Sequence, residues 1–127
     1  GNEIPFAASP DELKAKIRLM VTDPKRVKKT DPGDPEVCVV FKFHKIFNTM
    51  QCDEISCSCR EATMGCVECK NRLADVMIGI LADMHVRRTE YEKNPVKVKE
   101  ILAYGAERAR IVAASTMAEV RAAMNLK

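Results

Sequence analysis

Tryptophan is absent from this 127-residue sequence, and aromatic side chains make up only 5% of it. A core without large rings must be built from Leu, Ile, Val, Met and Ala, residues that suit packed helices, and a hydrophobic content of 46% is enough to close one such core. No apolar run approaches the roughly 18 residues that cross a bilayer, and no basic-then-apolar signal pattern opens the chain. No glycine loop suited to phosphate is present, and a cysteine beside His44 would be a nucleophile pair with no third group to orient it. A formal net charge of +3 is too small to define a nucleic-acid binder by itself. These absences predict a soluble, cytoplasmic, all-α protein with no catalytic residue of its own and no membrane contact.

What is present is unevenly distributed. Seven basic residues and one acid fall between Lys14 and Lys29, while the remainder of the chain is net acidic. Ser9-Pro10-Asp11-Glu12 has the form of a capping box, with Leu13, Ile17, Met20 and Val21 following at helical spacing. Two Asp-Pro pairs around Gly33 predict a loop, because proline disfavours helical geometry in the residue before it. Asp34 is placed to cap a helix running to about Asn48. Met50 to Gly65 carries no apolar stripe and is predicted to be irregular, ordered by something other than a core. A helix from Cys66 to about Tyr91 shows Leu73, Ala74, Met77, Ile80, Leu81, Met84 and Arg88 at steps of three and four. Asn94-Pro95 ends it and starts a last helix with the stripe Val98, Leu102, Gly105, Ala109, Val112, Thr116, Val120 and Ala123. The expected architecture is one domain over residues 1–127, an antiparallel helical bundle with a cysteine-rich, metal-ordered loop.

All six cysteines lie between Cys38 and Cys69, a cluster unlike the scatter of a disulfide-stapled secreted domain. Cys38, Cys59, Cys66 and Cys69 have the spacing C-x20-C-x6-C-x2-C and end in a CxxC at a helix start, where unpaired N–H groups and the positive end of the helix dipole favour thiolates. Four thiolates suit a 4Fe–4S cluster or a tetrahedral zinc ion. Cys52 and Cys57 compete for a place in the set. His44 is an alternative zinc ligand, but a histidine on an apolar helix face is more often buried and hydrogen bonded.

In combination these features resemble bacterial tryptophanyl-tRNA synthetases. In that family a KMSKS-type loop is followed by residues like Gly1-Asn2-Glu3-Ile4, then a capped helix ending in a match to Val21-Thr22-Asp23. Thr30 to Cys38 is similar to the family's TDPGNPE-type segment, Phe43-His44-Lys45-Ile46-Phe47 to its next helix, and Gly65-Cys66-Val67-Glu68-Cys69-Lys70 to its GCxxCK form. Gly105-Ala106-Glu107-Arg108-Ala109-Arg110 and Thr116-Met117-Ala118-Glu119-Val120-Arg121 extend the likeness almost to the end. Some members bind a 4Fe–4S cluster through C-x22-C-x6-C-x2-C, whose first interval is two residues longer than here.

The resemblance implies a helical C-terminal, anticodon-recognition domain of tryptophan–tRNA ligase, cut from a longer chain whose Rossmann catalytic domain, with its ATP and tryptophan sites, is absent. The implied partners are tRNA(Trp), the enzyme's own N-terminal catalytic domain and, for the full-length enzyme, a second subunit in a homodimer. Cys38, Cys59, Cys66 and Cys69 would hold the cluster, with zinc as the alternative metal. Lys25, Arg26, Lys28, Lys29, Arg108 and Arg110 are the residues expected to meet tRNA, through its phosphates. An iron–sulfur or zinc-ordered redox or interaction module is the competing reading.

Overall fold

A computed structural model describes residues 3–126, so the Gly1-Asn2 part of the N-terminal motif lies outside the described residues. Every regular element among the described residues is helical, as expected, with no strand. The helices are α1 (Pro10–Leu19), α2 (Val39–Phe47), α3 (Cys52–Arg60), α4 (Cys66–Lys93) and α5 (Pro95–Ala123), with a short 3₁₀ turn at Thr49–Gln51. The chain divides into two compact units, Gly1–His85 and Val86–Lys127.

In the first unit, α1 begins as its sequence predicts. Glu12 N donates to Ser9 Oγ at 3.3 Å and Ser9 N donates to Glu12 Oε2 at 2.8 Å, so two N–H groups that the helix leaves unpaired are satisfied reciprocally. Leu13 and Ile17, one turn apart, face the core. Leu73, Ala74, Met77 and Leu81 of α4 are buried in the same core cluster. The predicted stripe on α4 is therefore correct over its first half, whereas Ile80 is exposed.

Two predicted features of this unit require correction. The second helix starts at Val39 with Cys38 as its cap residue, not at Asp34. The Asp34 carboxylate instead accepts from Glu36 N at 2.9 Å, closing a local turn of the kind that short acidic side chains favour over helix. More consequentially, Met50 to Gly65 is not an irregular loop, because α3 occupies most of it. Cysteine in its thiol form packs as a small hydrophobe, so Cys52 and Ile55 make an apolar face at helical spacing that a count of aliphatic residues overlooks. Ile55 is 1% exposed and Met64 4%, and both join the core, with Cys52 packed against it. The expected metal-ordered loop is thus replaced by a helix that packs on the core.

The second unit holds the end of α4 and all of α5. Asn94 caps α5 by accepting from Lys97 N at 3.4 Å, with Pro95 in the first turn, as the Asn-Pro pair predicts. No residue of α5 is buried, contrary to the expectation that its stripe faces a core. Among the described residues no helix is long and apolar enough to cross a membrane.

Candidate functional site

Three elements deliver the four cysteines of the C-x20-C-x6-C-x2-C set. Cys38 is the residue before α2, Cys59 lies in the last turn of α3, and Cys66 and Cys69 open α4. Burial pushes the Cys69 thiol up to about 12, with negative charge on Cys38, Cys59 and Cys66 adding to the shift. Burial also raises Cys59, where charge on Cys38 and Cys66 acts in the same direction and the Arg26 guanidinium opposes it. Cys38 and Cys66 are thus close enough to both Cys59 and Cys69 for their charge to be felt there. The remaining two stand apart. Cys57 is exposed and donates to Glu61 Oε1 at 3.2 Å, which pushes its thiol up, while Cys52 donates to Asn48 O at 3.4 Å.

Close approach at Cys59 depends on Gly33. Gly33 N donates to Cys59 O at 3.0 Å, and a Cβ at Gly33 would stand 2.7 Å from Cys59 Sγ. Arg26 completes this corner: Nη2 donates to Lys29 O and Met64 O, both at 2.8 Å, and Nη1 lies 3.8 Å from Cys59 Sγ. Its Nε is buried and has no hydrogen-bond partner. Arg26 therefore ties the basic loop to the segment before α4, unlike a side chain waiting in solvent for phosphate.

His44 is fully buried on α2. Its Nε2 lies 3.1 Å from Cys69 O and its Nδ1 accepts from Asn48 Nδ2 at 3.2 Å, a pairing that assigns the proton to Nε2. Burial pushes its pKa below the ordinary histidine value, with the hydrogen bond to Cys69 opposing. The buried, hydrogen-bonded role expected of it is the observed one.

The basic loop has a fixed path. Asp23 accepts from Lys25 N at 2.9 Å and Asp34 N at 2.8 Å, and Asp31 accepts from Lys28 N at 2.7 Å and Val27 N at 3.2 Å. These carboxylates use backbone donors, leaving the side chains of Lys25, Lys28 and Lys29 at the exposed surface. Arg26, Lys28 and Lys29 line a recess of about 530 Å³ whose other side is the start of α4, including Cys66, Glu68 and Asn71. Sequence reasoning missed Glu68 and Asn71, and only their spacing one turn apart, behind the CxxC start, hinted at them. Arg108 and Arg110 belong to α5 in the second unit, where Arg110 pairs with Glu107 at 2.6 Å and Arg108 lies over the Tyr104 ring at 5.8 Å.

The donor set is chemically suited to a thiophilic metal centre, yet no group of three or more His, Cys, Asp or Glu among the described residues is arranged to hold a single metal ion.

In sequence and fold, the chain matches the C-terminal region of bacterial tryptophan–tRNA ligases. The tryptophan–tRNA ligase of Aquifex aeolicus is 39% identical over 99% of this chain and 32% of its own length. That of Thermotoga maritima is 40% identical over 99% of this chain and 39% of its own. The crystal structure of tryptophanyl-tRNA synthetase from Campylobacter jejuni superposes with a TM-score of 0.83 at 27% identity, covering 97% of this chain and 40% of that one. The chain thus spans about a third of the length of these curated relatives. No protein-family model matches it.

Proposed function

We propose that this chain is the anticodon-recognition region of a tryptophan–tRNA ligase, an enzyme that attaches tryptophan to tRNA(Trp) using ATP. The observation that carries the reading is the basic loop held beside the recess at the start of α4, within a chain matched along 99% of its length by such ligases. Lys25, Lys28 and Lys29 neutralise phosphates, while the Glu68 carboxylate and Asn71 amide meet the edges of an unstacked base. Arg26 holds the loop to Met64 and so fixes where those lysines stand. Activation of tryptophan belongs to the catalytic region that accounts for the rest of the relatives' length, and ATP binds there. The full-length enzyme acts in the cytoplasm as a homodimer.

Cys38, Cys59, Cys66 and Cys69 would hold a 4Fe–4S cluster on this reading. When bound, it supplies a four-point link between α2, α3 and α4. The chain's own residues orient that corner: Gly33 admits the Cys59 sulfur, and Arg26 places positive charge beside it. His44 fixes the Cys69 carbonyl.

The test is tRNA(Trp) binding as a function of salt, comparing the chain with a Lys25→Gln, Lys28→Gln, Lys29→Gln variant. Removing one lysine–phosphate interaction lowers the log–log salt slope by about 0.7–0.9. An unchanged affinity and slope would return those lysines to the role of solvated surface charge. Arg108 and Arg110 would then be the next to replace.

A further inference from the structure

Residues 24–32, which carry the three lysines, are joined to the rest of their unit by polar points and not by burial. Asp23 before them and Gly33 after them are buried, yet nothing between is, and Val27 is left 85% exposed. Asp31 accepts from Val27 N and Lys28 N, so the segment is braced within itself. Its clasp on the α3–α4 corner is Arg26, whose Nη2 donates to Met64 O at 2.8 Å while Nη1 lies 3.8 Å from Cys59 Sγ. The Lys29 stem rests near Gly65, its Cε 3.5 Å from where a Cβ there would stand. Arg26 Nε meanwhile is buried with no partner, a cost that closure carries and opening relieves. A segment with no buried apolar group and a guanidinium for a clasp opens at lower free energy than the helices it lies on.

Closure puts two walls face to face. Arg26, Lys28 and Lys29 form one side of the recess of about 530 Å³, and Cys66, Glu68 and Asn71 the other, so a ligand seated there touches both only while the segment is shut. A ligand that binds one state better shifts the population toward it. We infer that residues 24–32 are a strap that opens and closes over Cys59, clasped by Arg26 on the Met64 carbonyl, and that an RNA phosphate seated between Lys28, Lys29 and the start of α4 holds it shut. The RNA half of this inference rests on the anticodon-recognition reading. Cys59 is then shielded from electrophiles and oxidants while RNA is bound, and reachable when it is not.

The test is the rate at which iodoacetamide alkylates each cysteine of the metal-free chain, resolved by peptide mass mapping. Arg26→Gln and Arg26→Lys should both speed Cys59 by about tenfold or more, the scale of one lost charge-assisted hydrogen bond. Cys57, already exposed on the same helix, should keep its rate. Charge alone predicts the contrary: the Arg26 guanidinium favours the Cys59 thiolate, so its loss would slow the glutamine variant and spare the lysine one, and that pattern overturns the inference. Cys52 packs against the core and reports unfolding; if it quickens too, the unaltered chain decides. There, tRNA(Trp) at about ten times its Kd should slow Cys59 by about tenfold. Equal protection of Cys59 in Arg26→Gln at matched occupancy would mean that RNA covers the thiol directly, which also overturns the strap. Absence of tRNA(Trp) binding sinks the anticodon reading and the RNA half together, whereas binding with Cys59 alkylated at its RNA-free rate sinks this inference alone.

Discussion

Replacing Ile55 with alanine asks what orders α3. The side chain is 1% exposed and is the one residue of this helix buried in the core. Truncation removes three carbons from a packed site and should cost about 2–5 kcal/mol, the usual range for large-to-alanine changes of fully buried aliphatics. A unit of 85 residues has a total stability on the order of 4–13 kcal/mol, so the variant stands near the edge of folding. At about 4–8 °C per kcal/mol the melting temperature should fall by at least about 8 °C. The assay is thermal and urea unfolding followed by circular dichroism on protein stripped of metal. Ile46→Ala, at a side chain 69% exposed on α2, is the control and should stay within about 0.5 kcal/mol. If metal-free Ile55→Ala loses less than about 1 kcal/mol while α3 gains order only when iron or zinc is added, burial is not what holds this helix.

Serine in place of Cys38, Cys59, Cys66 or Cys69 should each lower the iron and sulfide content of anaerobically prepared protein, while Cys52→Ser and Cys57→Ser should not; the reverse pattern would reassign the ligands. Hydrogen bonds from Asp34 N and Lys25 N hold the Asp23 carboxyl below the usual carboxylate range, so its contribution is present above that range and is lost as pH falls through the lowered value. Asp23→Asn should flatten the acid limb of a stability–pH curve, and a limb of unchanged slope would contradict this. The chain by itself should show no tryptophan-dependent exchange of pyrophosphate into ATP, and measurable exchange by the pure chain would overturn the assignment of tryptophan activation to the rest of the relatives' length.

Local chemistry was the most legible part of the fold. The Ser9–Glu12 box, the Asn94-Pro95 junction and the Leu73–Met77–Leu81 stripe depend on neighbours within a few residues, and each forms as predicted. Asp34 misled because a short carboxylate serves a turn as readily as a helix start. The segment around Ile55 misled because cysteines valued only as ligands were not counted as packing groups. At the site, the spacing of four cysteines pointed to one place, but the path of the basic loop did not. That path is set by Asp23 and Asp31 accepting backbone N–H groups, and by Arg26 bonding across 38 residues to Met64 O. Contacts over that separation leave no periodic trace in a sequence. Glu68 and Asn71 acquired meaning only once the loop stood beside them.

Gly33 gives this corner a genetic consequence. Every missense change of a glycine codon adds a Cβ, and here that atom would lie 2.7 Å from Cys59 Sγ and 3.2 Å from Arg26 Cδ. A residue other than glycine at position 33 therefore requires the Cys59 side chain to move aside, and the Arg26 stem to give by a few tenths of an ångström. Where the Cys59 sulfur is held by other contacts that movement is opposed, so substitution at 33 is coupled to what the thiol at 59 is bonded to, and a lineage that replaces Cys59 with alanine removes the nearer obstacle.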